Sequence, residues 1–183
     1  MLVKRQEMSD IREKLIKHAI NTIQKSGIHK LTIRELGKAV DIKSSSVMYH
    51  FKSKDVLMTE LVKAYSEQFF IYLDEINEKT SDPKERLNKL IDLYEATIRD
   101  EKLCLCGMIV TENDNLNKDT KDLVIEFFNH LEEWIKQNLL LLKKDAVFAK
   151  VILSSLNGAM LIDNINENKI NYLDATRTII EKF

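Results

Sequence analysis

Residues 30–54 read KLTIRELGKAVDIKSSSVMYHFKSK, and they contain two short helical patterns joined by a tight connection. Thr32 and Glu35 stand three residues apart at the start of the first pattern. There the side chain of each can accept a hydrogen bond from the backbone N–H of the other, which caps the start of a helix. Apolar residues then recur at spacings of three and four, which is typical of one buried helix face: Ile33, Leu36, Ala39 and Val40. Asp41 follows, and aspartate tolerates the left-handed backbone that a sharp turn needs.

The second pattern, residues 44–51, has two apolar anchors four residues apart and an otherwise polar face. Val47 and Phe51 are the anchors, while short hydroxyl side chains occupy the helix start at residues 44–46. Serine hydroxyls can donate to or accept from base edges and phosphates, and the amide-rich start of a helix attracts phosphate. Since a helix of this size fits the major groove, the stretch predicts a helix-turn-helix that reads DNA.

The same stretch resembles the TetR/AcrR family of transcriptional repressors. The resemblance rests on a threonine-started helix, an aromatic-His-Phe run and a Ser-Lys pair that opens a long helix, here Thr32, Tyr49, His50, Phe51, Ser53 and Lys54. It is specific within residues 9–62 and loose beyond them. Two residues depart from the pattern, because Asp41 stands where the family usually has glycine and Met48 where an aromatic residue is common.

Composition predicts an all-α protein of about nine helices. The chain has 183 residues, 44% of them hydrophobic and 31% charged, which is enough to bury a core without a metal or a disulfide framework. One proline and four glycines leave few helix breakers, and nearly every window follows a 3.6-residue period. With no signal peptide or membrane-spanning run and two cysteines, we expect a cytoplasmic protein that has no membrane partner.

Charge is distributed unevenly along the chain. Residues 1–63 hold 13 lysines or arginines against 7 aspartates or glutamates, whereas residues 64–183 hold 15 against 22. The basic surplus therefore coincides with the helix-turn-helix pattern, as phosphate neutralisation requires. A chance excess on a solvated face is the alternative.

Periodicity and capping signals divide the chain into a DNA-binding domain, residues 1–52, and a helical effector-binding and dimerisation domain, residues 53–183. A helix is predicted over Ser9–Lys25, ended by Gly27, and a long helix capped by Ser53 is predicted to run to Lys79. Further helices are expected from Pro83 to Arg99, Leu103 to near Asn115, Asp119 to Leu142, Asp145 to Asn166 and Leu173 to Phe183.

The segment from Asp145 to Asn166 is apolar almost all round, as expected of a helix covered on both faces. A second copy of the chain is the expected cover on one face, and the family resemblance implies the same four-helix dimer contact. The predicted interface residues are mostly small and allow close backbone approach: Ser154, Ser155, Gly158, Ala159 and Ile162. A core helix buried within one chain is the alternative.

An effector cavity is expected in the larger domain. Its candidate lining residues are Phe69, Tyr72, Tyr94, Cys104, Cys106, Met108, Phe127 and Trp134, although aromatic residues at helical spacing are more often plain core. Cys104 and Cys106 are two residues apart and therefore lie on different helix faces, which disfavours a disulfide between them. A cysteine near a helix start can react with electrophiles, as in some TetR/AcrR relatives, whereas inert buried thiols are the alternative.

These patterns predict a regulator, usually a repressor, that binds double-stranded operator DNA as a homodimer and is released by an unknown small molecule or reactive electrophile. The resemblance, with the helix pattern, gives the DNA-binding residues: Thr32, Arg34, Lys43, Ser44, Ser45, Ser46, Tyr49, His50 and Lys54. The sequence has no phosphate-binding glycine loop and no zinc or catalytic motif, so no enzyme, metal or cofactor is expected. The alternative is a helical dimerisation or small-molecule-binding module without DNA binding.

Overall fold

The computed structural model describes residues 2–112, 114, 116–166 and 170–183. Within these ranges the chain is helical, with nine α-helices, a short 3-10 turn at Ile28–Lys30 and no strand, which confirms the predicted all-α class. The helices are α1 Leu2–Ser26, α2 Ile33–Ala39, α3 Ser44–Phe51, α4 Lys54–Lys79, α5 Pro83–Arg99, α6 Leu105–Val110, α7 Lys118–Leu141, α8 Phe148–Asp163 and α9 Asn171–Glu181.

Side-chain caps begin four of these helices, as hydroxyl, carboxylate and amide oxygens accept from otherwise unpaired backbone N–H groups. The Thr32 hydroxyl accepts from Glu35 N at 3.1 Å, and the Ser53 hydroxyl from Val56 N at 3.1 Å. Asp82 caps α5 directly before Pro83. The Thr32 and Ser53 caps were predicted above; the cap in which Asn117 accepts from Thr120 N was not.

Two tight turns have the backbone that the sequence predicted. Gly27, with φ of 85°, ends α1, and Asp41, with φ of 56°, separates α2 from α3. Asp41 thus adopts the left-handed conformation for which glycine is the usual residue.

Several predicted helix ends need correction. α1 begins at Leu2 rather than Ser9, and α6 begins at Leu105 because Cys104 has an extended backbone. The predicted end of α6 near Asn115 lies outside the described residues. The carboxylate of Asp145 accepts from Val147 N in a turn, so α8 begins only at Phe148, and it ends at Asp163. α9 starts two residues earlier than predicted, at Asn171.

The long helix α4 connects the two halves of the chain. It packs against α1 and α3 in one half and against α5, α6 and α7 in the other. The buried side chains form one continuous hydrophobic cluster that runs through both halves, so the division at residue 52 stays a prediction. Within the described part of the chain, every helix is too short or too polar to cross a membrane.

Candidate DNA-reading head and effector cavity

The face of α3 that points away from the core carries the polar residues that the sequence assigned to DNA. Val47 and Phe51 are buried at 0% and 1% exposure, so they fix the helix against the rest of the head. Three consecutive residues at the helix start, residues 43–45, are exposed, and Ser46 is half-buried. The hydroxyls of the helix start are therefore available to a large partner.

The connection between α2 and α3 is held by backbone contacts. Ile42 N donates to Gly37 O at 2.9 Å, and a side-chain carbon at Gly37 would lie 2.7 Å from Ile42 O. A residue larger than glycine at position 37 would therefore push the two helices apart. The sequence analysis did not predict this positioning role of Gly37. A glycine inside a short helical pattern is a signal that could have indicated it, because such a glycine often marks close packing.

The residues assigned to phosphates lie on the surface of the head. Thr32 and Arg34 are exposed at the start of α2, although the Thr32 hydroxyl also caps that helix. Tyr49 is 72% exposed, and its ring meets that of half-buried His50 edge-on, with centroids 6.0 Å apart. Lys54 is exposed as the first residue of α4. A cation at this end of a helix is opposed by the helix dipole, so an anionic partner would stabilise it.

A cavity of about 460 Å³ lies between α6, α7 and α8. Buried Cys104 and Met160 line its inner part, whereas Val110, Thr111 and Leu161 are exposed and therefore lie at its mouth. The full lining is apolar or neutral: Leu103, Cys104, Gly107, Met108, Val110, Thr111, Phe128, Leu153, Ser154, Asn157, Met160 and Leu161. The cavity is large enough for a small, uncharged, mostly apolar molecule.

Two of the eight predicted effector residues, Cys104 and Met108, line this cavity. The other six lie outside its lining: Phe69, Tyr72, Tyr94, Cys106, Phe127 and Trp134. The rings of Phe69 and Phe127 meet edge to face in the core, with centroids 5.1 Å apart, so the plain-core alternative describes them better. From α7, Phe128 lines the cavity and Phe127 and Trp134 do not, so the rotation of this helix about its axis decides which of its side chains reaches the cavity. Leu153, Asn157 and Met160 on α8 were also missed.

The two thiols are both buried, but their surroundings differ. A hydrogen bond from the Cys106 thiol, helped by N–H of Gly107 and by the Tyr65 hydroxyl, lowers the pKa of Cys104 to about 7, against the opposing effect of burial. The Tyr65 oxygen lies 3.6 Å from the Cys104 sulfur. Burial and the neighbouring Cys104 raise the pKa of Cys106. Cys104 is therefore the more nucleophilic of the two, and it lines the cavity.

One side of α8 is exposed in the single chain and carries apolar side chains. Leu161 is 57% exposed and Ile162 38%, and a side-chain carbon at Gly158 would meet no atom of another element within 4 Å. Ser154 is exposed and Ser155 half-buried. Ala159 is 4% exposed and packs inward, so its place in the predicted interface does not match its position. A helix of this kind leaves an apolar patch that a second protein surface can cover.

Comparison with known proteins gives the family. The sequence model described as bacterial regulatory proteins, tetR family, matches residues 15–61, which include α2, α3 and the start of α4. A crystal structure of a TetR transcriptional regulator from Legionella pneumophila is 26% identical, with a TM-score of 0.86 over 93% of this chain and 95% of that one. These matches support a TetR/AcrR family transcriptional regulator.

Curated relatives of this TetR-family chain are also regulators. The biofilm operon icaADBC HTH-type negative transcriptional regulator IcaR of Staphylococcus aureus is 24% identical, and the match covers 94% of this chain and 98% of IcaR. The uncharacterized HTH-type transcriptional regulator YerO of Bacillus subtilis is 29% identical over 117 residues, which is 61% of this chain but 40% of YerO. The chain therefore spans less than half the length of some relatives that it matches.

The overall TetR-family fold extends to more distant structures. A TetR-family regulator from Agrobacterium tumefaciens is 22% identical with a TM-score of 0.90 over 96% of this chain and 98% of that one. The reduced form of NemR from E. coli is 16% identical with a TM-score of 0.79, over 94% and 96% of the two chains. These two likenesses concern the fold alone.

Proposed function

We propose that this regulator is a homodimer that binds a roughly palindromic operator through two copies of residues 32–54 and leaves it when an effector binds. The single observation that carries the proposal is the orientation of α3. Its anchors Val47 and Phe51 are buried while Ser44 and Ser45 are exposed. In a helix-turn-helix, the N-terminal residues of the second helix contact base edges, which is the position of these serines.

Specificity and register come from different parts of the head. Lys43, Ser44, Ser45 and Ser46 meet base edges, because they form the exposed or half-buried start of α3. A second group contacts phosphates and fixes the register: Thr32, Arg34, Tyr49, His50 and Lys54. Asp41 adopts the left-handed turn that the pattern requires, so this departure from the family does not distort the head.

The dimer forms through α8 and its neighbour α9. The face of α8 that carries Ile162, Leu161 and Gly158 is open in the single chain, and Tyr172 of α9 is 47% exposed. Burying this apolar surface against a second copy generates a twofold interface. Two heads then meet successive major grooves roughly 34–36 Å apart. A regulator of this kind acts on DNA in the cytoplasm.

The effector is a small, uncharged molecule that occupies the cavity between α6, α7 and α8. Its hydrogen-bonding groups can reach Asn157 and Ser154, and the rest of the lining is largely apolar. An electrophile of the same shape is favoured by a specific observation, the lowered pKa of Cys104 on the cavity wall. Either kind of effector acts by its differential affinity for the bound and released states of the dimer.

A gel shift with the DNA upstream of the chain's own gene tests the proposal. We expect a single shifted species that forms cooperatively with two protomers and is lost in a Ser44→Ala, Ser45→Ala double variant. An unrelated duplex of equal length is the control. Binding of neither duplex would favour the dimerisation or small-molecule-binding module without DNA binding. Equal binding of both duplexes at all salt concentrations would contradict operator recognition.

A further inference from the structure

The last turn of α1 is joined to the extended segment before α6 by two reciprocal hydrogen bonds. Leu103 N donates to Gln24 O at 3.0 Å, and Gln24 Nε2 donates to Leu103 O at 3.0 Å. Gln24 thus pairs with both the backbone N–H and the backbone carbonyl of Leu103. We name this pair of bonds the Gln24–Leu103 clasp.

The clasp exists because of how α1 ends. Gly27 N donates to Ile23 O and the chain then turns at Gly27, so the Gln24 carbonyl is one of the last carbonyls of the helix, which lack partners within it. On the other side, Glu101 adopts a left-handed backbone, with φ of 58°, and Lys102 N donates to Thr97 O. The segment that carries Leu103 is therefore fixed to the end of α5 as well as to α1.

Leu103 also belongs to the wall of the cavity, directly before Cys104. Met108, another lining residue, reaches the same end of α1, since a side-chain carbon at Gly27 would lie 3.7 Å from its terminal methyl carbon. A molecule in the cavity therefore contacts residues that are themselves in contact with α1.

The position of α1 in turn affects the reading helix. Leu15, Ala19 and Ile23 on α1 are each fully buried and belong to the same hydrophobic cluster as Val47 and Phe51 of α3. Packed interiors transmit displacement because they have few voids. A shift of α1 reaches α3 through α2, because α1 packs against α2 and α2 packs against α3.

We propose that Gln24 is the positioning residue that couples occupancy of the cavity to the arrangement of the DNA-reading head, through its clasp on Leu103. The inference rests on the proposed function, because it needs a head that responds to a ligand. Gln24 itself touches neither DNA nor ligand in this arrangement.

Cavity-filling substitutions can imitate an occupant, so the test does not need the effector. A side-chain carbon at Gly107 would have its nearest neighbours at 3.6 Å (Cys104 Cβ) and 3.7 Å (Asn157 Oδ1), which is ordinary contact. Gly107→Leu therefore extends a side chain into the cavity, and Gly107→Ala adds a methyl group alone as its control. Phe128→Trp is a second filling variant, which replaces Gly107→Leu if circular dichroism shows the latter to be unfolded.

The readout is amide hydrogen exchange of residues 15–26 and 44–51 in the full chain without DNA. We expect Gly107→Leu to accelerate exchange there by roughly fivefold or more, the lower end of couplings between sites. A Gln24→Leu or Gln24→Glu background lacks the Nε2 donor and keeps only the backbone bond of the clasp, so the filling variant should have a clearly smaller effect on these residues there. Gln68 is exposed on α4, and Gln68→Leu should leave the effect of filling intact.

Two results would overturn the inference. One is a filling effect of the same size in the protein that retains Gln24 and in the Gln24→Leu or Gln24→Glu background; the other is no effect of either folded filling variant on the head. If Gln24 had a purely structural role, Gln24→Leu alone would change the amide exchange of the head. The further change caused by Gly107→Leu would then be the same with and without Gln24. The exchange measurement contains no DNA. A failed gel shift together with a Gln24-dependent effect of filling would therefore contradict the proposed function but not the coupling.

Discussion

The guanidinium carbon of Arg12 lies 5.5 Å from the centre of the Phe51 ring, so a cation on α1 covers the last residue of the reading helix. The same guanidinium lies 2.6 Å from a carboxylate oxygen of Glu60 on α4. Arg12 therefore joins α1, on which it lies, to α3 and α4. Its position in the sequence is compatible with a phosphate contact, but its charge is already engaged within the protein.

Replacing Arg12 with methionine should lower the free energy of unfolding by about 1 kcal/mol. The stacking on Phe51 contributes roughly 0.5–2 kcal/mol, and the ion pair contributes little because both side chains are partly exposed, 39% and 31%. Urea denaturation measures the change. Operator affinity should fall without a change in its salt dependence, since Arg12 neutralises no phosphate. A salt slope reduced by about one would instead assign Arg12 to the DNA backbone.

Lys54→Ala should weaken binding to all duplex sequences alike and reduce the slope of log affinity against log salt by about one. Lys54 is exposed at the start of α4, where it can neutralise one phosphate. Without it, binding releases one counterion fewer from the DNA. Fluorescence anisotropy at several salt concentrations measures the slope. Lys79→Ala, at the other end of the same helix, is the control and should leave the slope unchanged. If both variants behave alike, Lys54 does not contact phosphate.

Sequence patterns predicted where the helix-turn-helix starts and turns, but they did not predict which residues line the cavity. The start and turn of the helix-turn-helix depend on local chemistry, namely the Thr32 cap and the left-handed tolerance of Asp41, and local chemistry can be read from neighbouring residues. The cavity lining depends on the rotation of three helices about their axes. Phe127 was expected to line the cavity, whereas Phe127 is buried in the core and its neighbour Phe128 lines the cavity.

Long-range hydrogen bonds were beyond sequence reasoning for a related reason. Gln24 and Leu103 are 79 residues apart, and neither belongs to a recognisable motif. The partner of a helix-terminal carbonyl is set by which chain segment the fold brings next to it. The same holds for the 3.0 Å contact between the hydroxyls of Thr59 and Thr120, which joins α4 to α7.

Ile162→Lys should convert the protein to a monomer and abolish cooperative operator binding. Ile162 is 38% exposed on α8, and a lysine there would place a charge in the apolar interface of the proposed dimer. Sedimentation equilibrium measures the oligomeric state. Ile125→Lys is a matched control on α7, where the isoleucine is 58% exposed on a different face. A dimer that survives Ile162→Lys would place the interface elsewhere.

Alkylation of Cys104 should become half-maximal near pH 7 and increase as the pH rises through that value, because the thiolate is the reactive form. The measurement is the rate of iodoacetamide labelling by mass spectrometry in a Cys106→Ser variant, whose hydroxyl keeps a hydrogen-bond donor beside Cys104. Cys106→Ala removes that donor and should move the midpoint upward. A midpoint at the ordinary thiol pKa of about 8.5 in the serine variant would remove Cys104 as a reactive group.

Because α4 is long, a small tilt about one of its ends produces a large displacement of the other end. A helix from Lys54 to Lys79 is about 39 Å long at a rise of 1.5 Å per residue. Tilting a rod of that length by about 5° about one end moves its other end by about 3.4 Å, which is the rise between neighbouring base pairs. In the proposed dimer on DNA, a tilt of this size would therefore carry each α3 one nucleotide step out of register.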